Sequence, residues 1–540
     1  MDTCSSVFLF SFLLFAIIIV IVFNKINGLR SSSASKKKII DHVNTNSHGL
    51  VFPQGSLGWP VIGETIEFIS SAYSDHPESF MDKRRLMYGK VFKSHIFGTA
   101  TIVSTDAEVN KIVLQSDPTA FVPFYPKTVR ELMGKSSILL INGSLHRRFH
   151  GLVGSFLKSP LLKAQVVKDM HKYLSESMDQ WSEDQPVLLQ DISKTVAFKV
   201  LAKALISVEK GEELDELKKE FEQFIKGLMS LPVNFPGTQL HRSLQAKKKM
   251  VKQVEKIIDG KVRRTKNKEE DDVIAKDVVD VLLKDSSESL THNLIANNMV
   301  DMMIPGHDSV PVLITLAVKF LSDSPSALHF LTDENMELKR LKELTGEPLY
   351  WNDYLSLPFT QKAIKSLNTN YHQVITETLR MGNVIIGVMR KAMKDVEVKG
   401  YVIPKGWCFL AYLRSVHLDK LYYESPYKFN PWRWQERDMS TSSFSPFGGG
   451  QRLCPGLDLA RLEASIFLHH LVTRFRWTTE EDTIINFPTV HMKNKTDNMM
   501  ECRDKKESHV SEGFKEWLEW PLEFVGYVET DSASWTCVLI

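Results

Sequence analysis

Phe444–Trp477 reads FSPFGGGQRLCPGLDLARLEASIFLHHLVTRFRW, the most informative spacing in the chain. Three consecutive glycines, Gly448 to Gly450, let the backbone fold tightly around something bulky. Cys454 stands just before an apolar helix that begins near Leu457. Backbone N–H groups and the helix N-terminus are expected there to favour a thiolate, lowering a thiol pKa of about 8.5. Arg452 offers a planar fork of donors suited to a carboxylate. The helix that follows is apolar on most of its surface and should be buried. A buried, activated thiolate beside an arginine suggests a metal or cofactor ligand. The bland alternative is a structural cysteine in a glycine-rich loop. Phe447, Gly450, Arg452, Cys454 and Gly456 together spell F-x-x-G-x-R-x-C-x-G, which favours the ligand.

Working outward, the protein has 540 residues, with 67 Lys+Arg against 65 Asp+Glu and a net charge of +2. At 43% hydrophobic and 24% charged it can bury a large core, which excludes wholesale disorder. The near-zero net charge argues against a nucleic-acid binder. Five cysteines without a C-x-x-C pair exclude a disulfide framework and a cysteine-based zinc site. Val7–Phe23 is apolar apart from Ser11 and, at 1.5 Å per residue, spans roughly 26 Å. No basic region precedes it, while Lys25, Arg30 and Lys36–Lys38 follow it. An uncleaved single-pass anchor is expected in the endoplasmic reticulum membrane, with the remaining sequence in the cytosol. Residues 1–30 are the anchor, 31–63 a linker ending in a Pro/Gly hinge (Pro53, Gly55, Gly58, Pro60, Gly63), and 64–495 the main domain.

That domain is expected to be mainly helical with small β-sheets; ATIVST at 100–105 and VEVKGYVI at 396–403 read as strands. Lys247–Asp272 carries many Lys and Arg and reads as a solvated helix face, with a membrane- or partner-facing patch as the alternative. Thr291–Phe320 is a long apolar helical pattern interrupted by PGHDSVP at 305–311. Pro305 and Pro311 lack the N–H that would bond the carbonyls of Asp301 and His307, so the helix should be loosened there. An ordinary proline kink competes with a groove for a small ligand or water.

The loop around Cys454 resembles the haem-binding loop of the cytochromes P450, in which the cysteine thiolate is the axial iron ligand. The resemblance covers roughly residues 7–490 and implies the cytochrome P450 fold, haem b as cofactor, O2 as co-substrate, and electrons from NADPH through a cytochrome P450 reductase. It implies further parts, each with a match here. Glu377-Thr378-Leu379-Arg380 is similar to the family's E-x-x-R, and Arg433 in FNPWRW supplies the third member of a buried network behind the haem. Gly306, Asp308 and Ser309 fall on the oxygen-activation stretch, with Ser309 in place of its threonine and Pro305 in place of its small residue. Asp308 and Ser309 are expected to pass protons to dioxygen. Arg390, His146 and His150 are the expected basic partners of the haem propionates. Val384, Ile385, Ile386 and Val388 lie where the family lines its substrate pocket, although core positions are an equal reading for each.

Four runs, DMMIPGHDSVPVLITLAVKFLSDSP, FLAYLRSVHLD, FNPWRWQ and the cysteine stretch itself, resemble more closely the plant steroid hydroxylases of brassinosteroid biosynthesis, nearest the branch that acts at C-23 of the steroid side chain. A steroid substrate and hydroxylation at C-23 are implied. A C-22 or other sterol or terpenoid hydroxylase, and a catalytically impaired haem-binding isoform, are the alternatives. Two stretches depart from the family pattern. Ala363–Gln373 intervenes before the E-x-x-R helix and is expected to loop out exposed, with a short packed helix as the competing reading. The tail from 496 to 540 does not resemble the family's closing β-hairpin; its C-a-a-X end at Cys537 would add a second lipid anchor of little use to an anchored protein.

Overall fold

A computed structural model describes residues 51–504 apart from short internal stretches, the longest being 358–372. The anchor 1–30, most of the linker, nearly all of the Ala363–Gln373 stretch and the tail beyond 504 lie outside the described residues.

The body is mainly helical. The helices that build and surround the site are, in order along the sequence, α1 (Ala107–Gln115), α2 (Gly143–Leu157), α3 (Pro160–Met178), α4 (Leu189–Ile206), α5 (Glu212–Ile225), α6 (Gln239–Lys266), α7 (His292–Ser322), α8 (Pro325–Thr345), α9 (Gln373–Gly382) and α10 (Leu457–Arg474). Their starts follow ordinary capping chemistry. Asp106 accepts the N–H groups of Glu108 and Val109, and Thr291 accepts that of Leu294. α7 and α10 bury residues on nearly every face, so each runs through the core. α7 packs against α4, α6, α9 and α10. Among the described residues it is the one helix long and apolar enough to cross a bilayer, and its apolar stretch is largely buried inside the protein.

The sheets are small. β1 (Val91–Ile96), β2 (Thr99–Ser104), β3 (Phe121–Pro123), β5 (Gly387–Ala392) and β8 (Cys408–Tyr412) form one sheet in the order β1-β2-β8-β5-β3, parallel only between β2 and β8. β4 (Val187–Leu188), β9 (Phe475–Thr479) and β12 (Met499–Asp504) form another in the order β4-β12-β9. β6 (Val396–Val398) pairs with β7 (Tyr401–Ile403), and β10 (Ile484–Ile485) with β11 (His491–Met492).

Several expectations need correction. VEVKGYVI is a hairpin rather than one strand: Lys399 and Gly400 both take positive φ (47° and 81°), the geometry of a two-residue primed turn. α7 runs unbroken through both prolines, because its packing on four helices outweighs two lost backbone hydrogen bonds. Lys247 does not lie on a solvated face. It is buried, and its ammonium donates to Asp301 Oδ1 of α7 at 2.6 Å and to the Met133 carbonyl at 2.6 Å. Gln373, the last residue of the expected exposed loop, is buried and opens α9. β12 carries the folded body past Lys495, pairing with β9 along five residues.

Candidate active site

The cysteine loop is held by short-range bonds that its glycines permit. Gly448 and Gly450 have φ of 76° and 66°, and a Cβ on Gly450 would lie 2.2 Å from the Leu114 carbonyl oxygen at the end of α1. Cys454 N–H donates to the Phe447 carbonyl at 3.1 Å, and Leu453 N–H to that of Gly450 at 3.1 Å. The Phe447 ring lies under the Arg461 guanidinium, 5.6 Å from its centroid. Gly456 ends the loop as the residue before α10.

The Cys454 thiol differs from expectation. Burial pushes its pKa up, and the Gly456 N–H opposes this by less. Loss of water outweighs one amide and a helix end. A metal cation held at this sulfur would supply the positive charge that favours the thiolate, which the helix end alone does not. Cys408, the other cysteine whose side chain is described, is buried in β8 and pushed up to about 12, which makes it inert.

Beside the loop sits a cluster of cations. Among the described residues the Arg452 guanidinium meets no carboxylate: it donates to the carbonyls of Ile138 (3.2 Å) and Ile141 and to Asn142 Oδ1 (2.6 Å). Burial, then the nearby Arg390, lowers it to about 10. Arg390 on β5 is buried, and its guanidinium donates to the neighbouring Met389 carbonyl at 3.1 Å. Among the described residues neither arginine makes an ion pair. His146, Arg390 and Arg452 line one small cavity with Asn142 and Phe121. Burial and both arginines push His146 down to about 4, so it offers a neutral ring rather than the expected positive charge. His150, one turn on, turns away and meets the Leu453 carbonyl at 2.9 Å, bracing the cysteine loop. Tyr125, which sequence reading did not single out, interacts electrostatically with both arginines. Buried Arg390 and half-buried Arg452, with no acid beside them among the described residues, suit an anionic guest, and haem carries two carboxylates. The residues present fit it.

The acid–arginine network is built on α9 and the segment 430–434. Glu377 on α9 is fully buried and accepts from five donors. These are Arg380 Nε (2.9 Å) and Nη2 (2.8 Å), Arg433 Nε (2.9 Å), the Asn430 N–H (3.0 Å) and the Trp434 indole N–H (2.9 Å). Arg380 Nη1 spends its donors on the carbonyls of His417 (2.9 Å) and Pro426 (2.7 Å). Trp434 and Asn430 were not assigned from sequence, nor was His417. The His417 Nε2 accepts from Ser445 N–H (3.1 Å), so its Nδ1 donates to Asn383 Oδ1 (2.6 Å). Burial, then Arg380 and Arg414, push its pKa down to about 3, which keeps the ring neutral and this link between α9 and the cysteine loop intact.

In α7, Ile304, Pro305, Asp308 and Ser309 keep accessible surface while Met303, Gly306, His307 and Val310 are buried. With spacings of three and four residues they form one patch. Gly306 faces the other way: a Cβ there would lie 1.8 Å from the Leu201 side chain of α4, so this glycine lets two helices approach. Asp308 Oδ1 is 2.9 Å from His307 Nδ1. Val384 belongs to the main core, while Ile385, Ile386 and Val388 keep accessible surface at and before β5. The structure thus spends Val384 on packing.

The cytochrome P450 family model matches residues 53–499. The protein is 88% identical to 3-epi-6-deoxocathasterone 23-monooxygenase CYP90D1 of Arabidopsis thaliana over 88% of its own length and 94% of the relative's. It is 59% identical to cytochrome P450 90D2 of Oryza sativa subsp. indica, over 82% and 87%. It is 50% identical to 3-epi-6-deoxocathasterone 23-monooxygenase CYP90C1 of Arabidopsis thaliana, over 85% and 86%. A solved cyanobacterial CYP120A1 with retinoic acid bound matches the fold with a TM-score of 0.71 at 22% identity, over 84% of this protein and all of that one. With the family model matched over residues 53–499 and a relative 88% identical over 88% of the sequence, the protein belongs to the cytochrome P450 family, monooxygenases that use haem iron, O2 and NADPH-derived electrons.

Proposed function

We propose that this protein hydroxylates a brassinosteroid precursor at C-23 of its side chain, with 3-epi-6-deoxocathasterone as the substrate to test first. The observation that carries this reading is the 88% identity to a 3-epi-6-deoxocathasterone 23-monooxygenase along 94% of that relative. Haem, when bound, supplies the iron at which dioxygen is reduced. Cys454 would hold the haem iron through its sulfur. Arg390, Arg452, His146 and Tyr125 would hold the haem carboxylates, while Phe447, Gly450, Gly456 and His150 shape and brace the loop. Glu377, Arg380 and Arg433 fix the backbone that supports it. Asp308 and Ser309 hold and pass protons along the accessible patch of α7, and Gly306 seats that helix on α4. Ile385, Ile386 and Val388 offer apolar surface to a flat sterol. Val7–Phe23 anchors the protein in the endoplasmic reticulum membrane with residues 64–504 folded as the cytosolic domain, and an NADPH–cytochrome P450 reductase delivers electrons there.

The test is turnover of 3-epi-6-deoxocathasterone by the full-length protein co-expressed with a plant NADPH–cytochrome P450 reductase. The expected product has gained one oxygen atom, located at C-23 by mass-spectral fragmentation. Cys454→Ala should abolish both the product and the red-shifted Soret band of the reduced carbon monoxide complex. A wild-type protein that shows the band but oxidises C-22, or leaves the steroid untouched, would overturn the substrate assignment.

A further inference from the structure

We infer that His307 is a positioning residue for Asp308, fixing one oxygen of its carboxylate so that the other is left to exchange protons with water. This rests on the reading of Asp308 as a proton carrier.

Neighbouring residues on a helix point about 100° apart and do not ordinarily pair. His307 and Asp308 nevertheless meet, with Nδ1 2.9 Å from Oδ1. A carboxylate can only accept, so Nδ1 carries the hydrogen and donates it. The His307 ring is buried and cannot swing freely. The Phe221 ring of α5 lies edge-on at 5.3 Å between centroids, and the Phe198 ring of α4 stands perpendicular at 6.5 Å. Gly306, against Leu201, locks the same turn from beneath. An imidazole walled by two aromatic rings is a fixed donor, whereas the Asp308 it holds keeps surface on the accessible patch. The nearest other acid along α7, Asp301, lies nearly two turns earlier, where its Oδ1 is paired with Lys247 of α6. His307 is therefore the protein group that orients Asp308.

Asparagine places an amide donor near the Nδ1 position, and glutamine near the Nε2 position. His307→Asn should keep the coupling of product to NADPH near wild type. His307→Gln should lower it by about tenfold, the lower end of the loss expected for a hydrogen bond to a charged group, with electrons lost as peroxide and the carbon monoxide band unchanged. A second readout needs no turnover: the melting-temperature shifts of His307→Gln and Asp308→Asn should be non-additive in the double variant, as for residues in contact. Full coupling in His307→Gln, or additive shifts, would overturn the role of His307. If Asp308→Asn itself stays fully coupled, the proton-carrier reading fails and takes this inference with it. Uncoupling by Asp308→Asn but not by His307→Gln removes His307 alone.

Discussion

Single residues in this protein are governed by what burial does to charge. Glu463 on α10 lies wholly inside the protein, and burial alone raises its pKa to about 8. In the unfolded state the same carboxyl titrates near 4.5. Between those values the unfolded state loses its proton while the native state keeps it, so stability falls as pH rises through this window. Glu463→Gln removes the titration. The variant is expected to match wild type near pH 4.5 and to be more stable by a few kcal/mol at pH 8. Melting temperatures of both proteins across that range check this; parallel curves would show Glu463 ionised in the fold. Cys454 obeys the same physics, since its thiol is also pushed up by burial.

At the scale of elements, α7 organises the interior, and its polar residues decide which neighbours it holds. Asn298 accepts the Ile138 N–H at 2.5 Å and donates to the Ser136 carbonyl at 3.0 Å. Lys247 of α6 joins Asp301 of α7 to the Met133 carbonyl. The segment 133–142 is therefore pinned to α7 at one side and, through Arg452, to the cysteine loop at the other. Burial pushes Asp301 up, and only the facing ammonium pulls it back strongly. Lys247→Met leaves that acid buried without its cation and should cost about 3–5 kcal/mol. Adding Asp301→Leu should recover most of the loss, because two apolar side chains replace the pair. Chemical unfolding of the three variants measures both steps; a double variant no better than Lys247→Met would mean that the pair sets the fold of segment 133–142.

Over the whole molecule, the sheet β4-β12-β9 joins the start of α4 to the end of α10, since β4 runs directly into α4 and β9 directly follows α10. Its central strand comes from Met499–Asp504, inside the tail whose sequence departs from the family pattern. Ending the protein after Asn498 should leave two edge strands unpaired and lower the melting temperature by at least about 4 °C. The carbon monoxide band of the truncated protein should survive at low temperature, because the cysteine loop and the Glu377 network lie in other elements. Unchanged melting would mean that β12 contributes nothing to the fold.

The reading from sequence reached what local spacing encodes. F-x-x-G-x-R-x-C-x-G, E-x-x-R and the aligned Arg433 each concern residues whose chemistry is stated by their sequence neighbours, and Glu377, Arg380 and Arg433 do meet. The mainly helical class followed from 3.6-residue periodicity, and the family from motif order. What spacing could not carry was long-range contact and loss of water. Trp434 and Asn430 complete the Glu377 site, His417 ties α9 to the cysteine loop, and Tyr125 joins Arg390 and Arg452. Each partner lies tens or hundreds of residues away in sequence or bears no pattern of its own. The raised thiol of Cys454, the uncharged His146 and the unbroken α7 share one cause. Tertiary packing removes water and supplies neighbours, and those two effects exceed the helix-end and proline terms that the sequence makes visible.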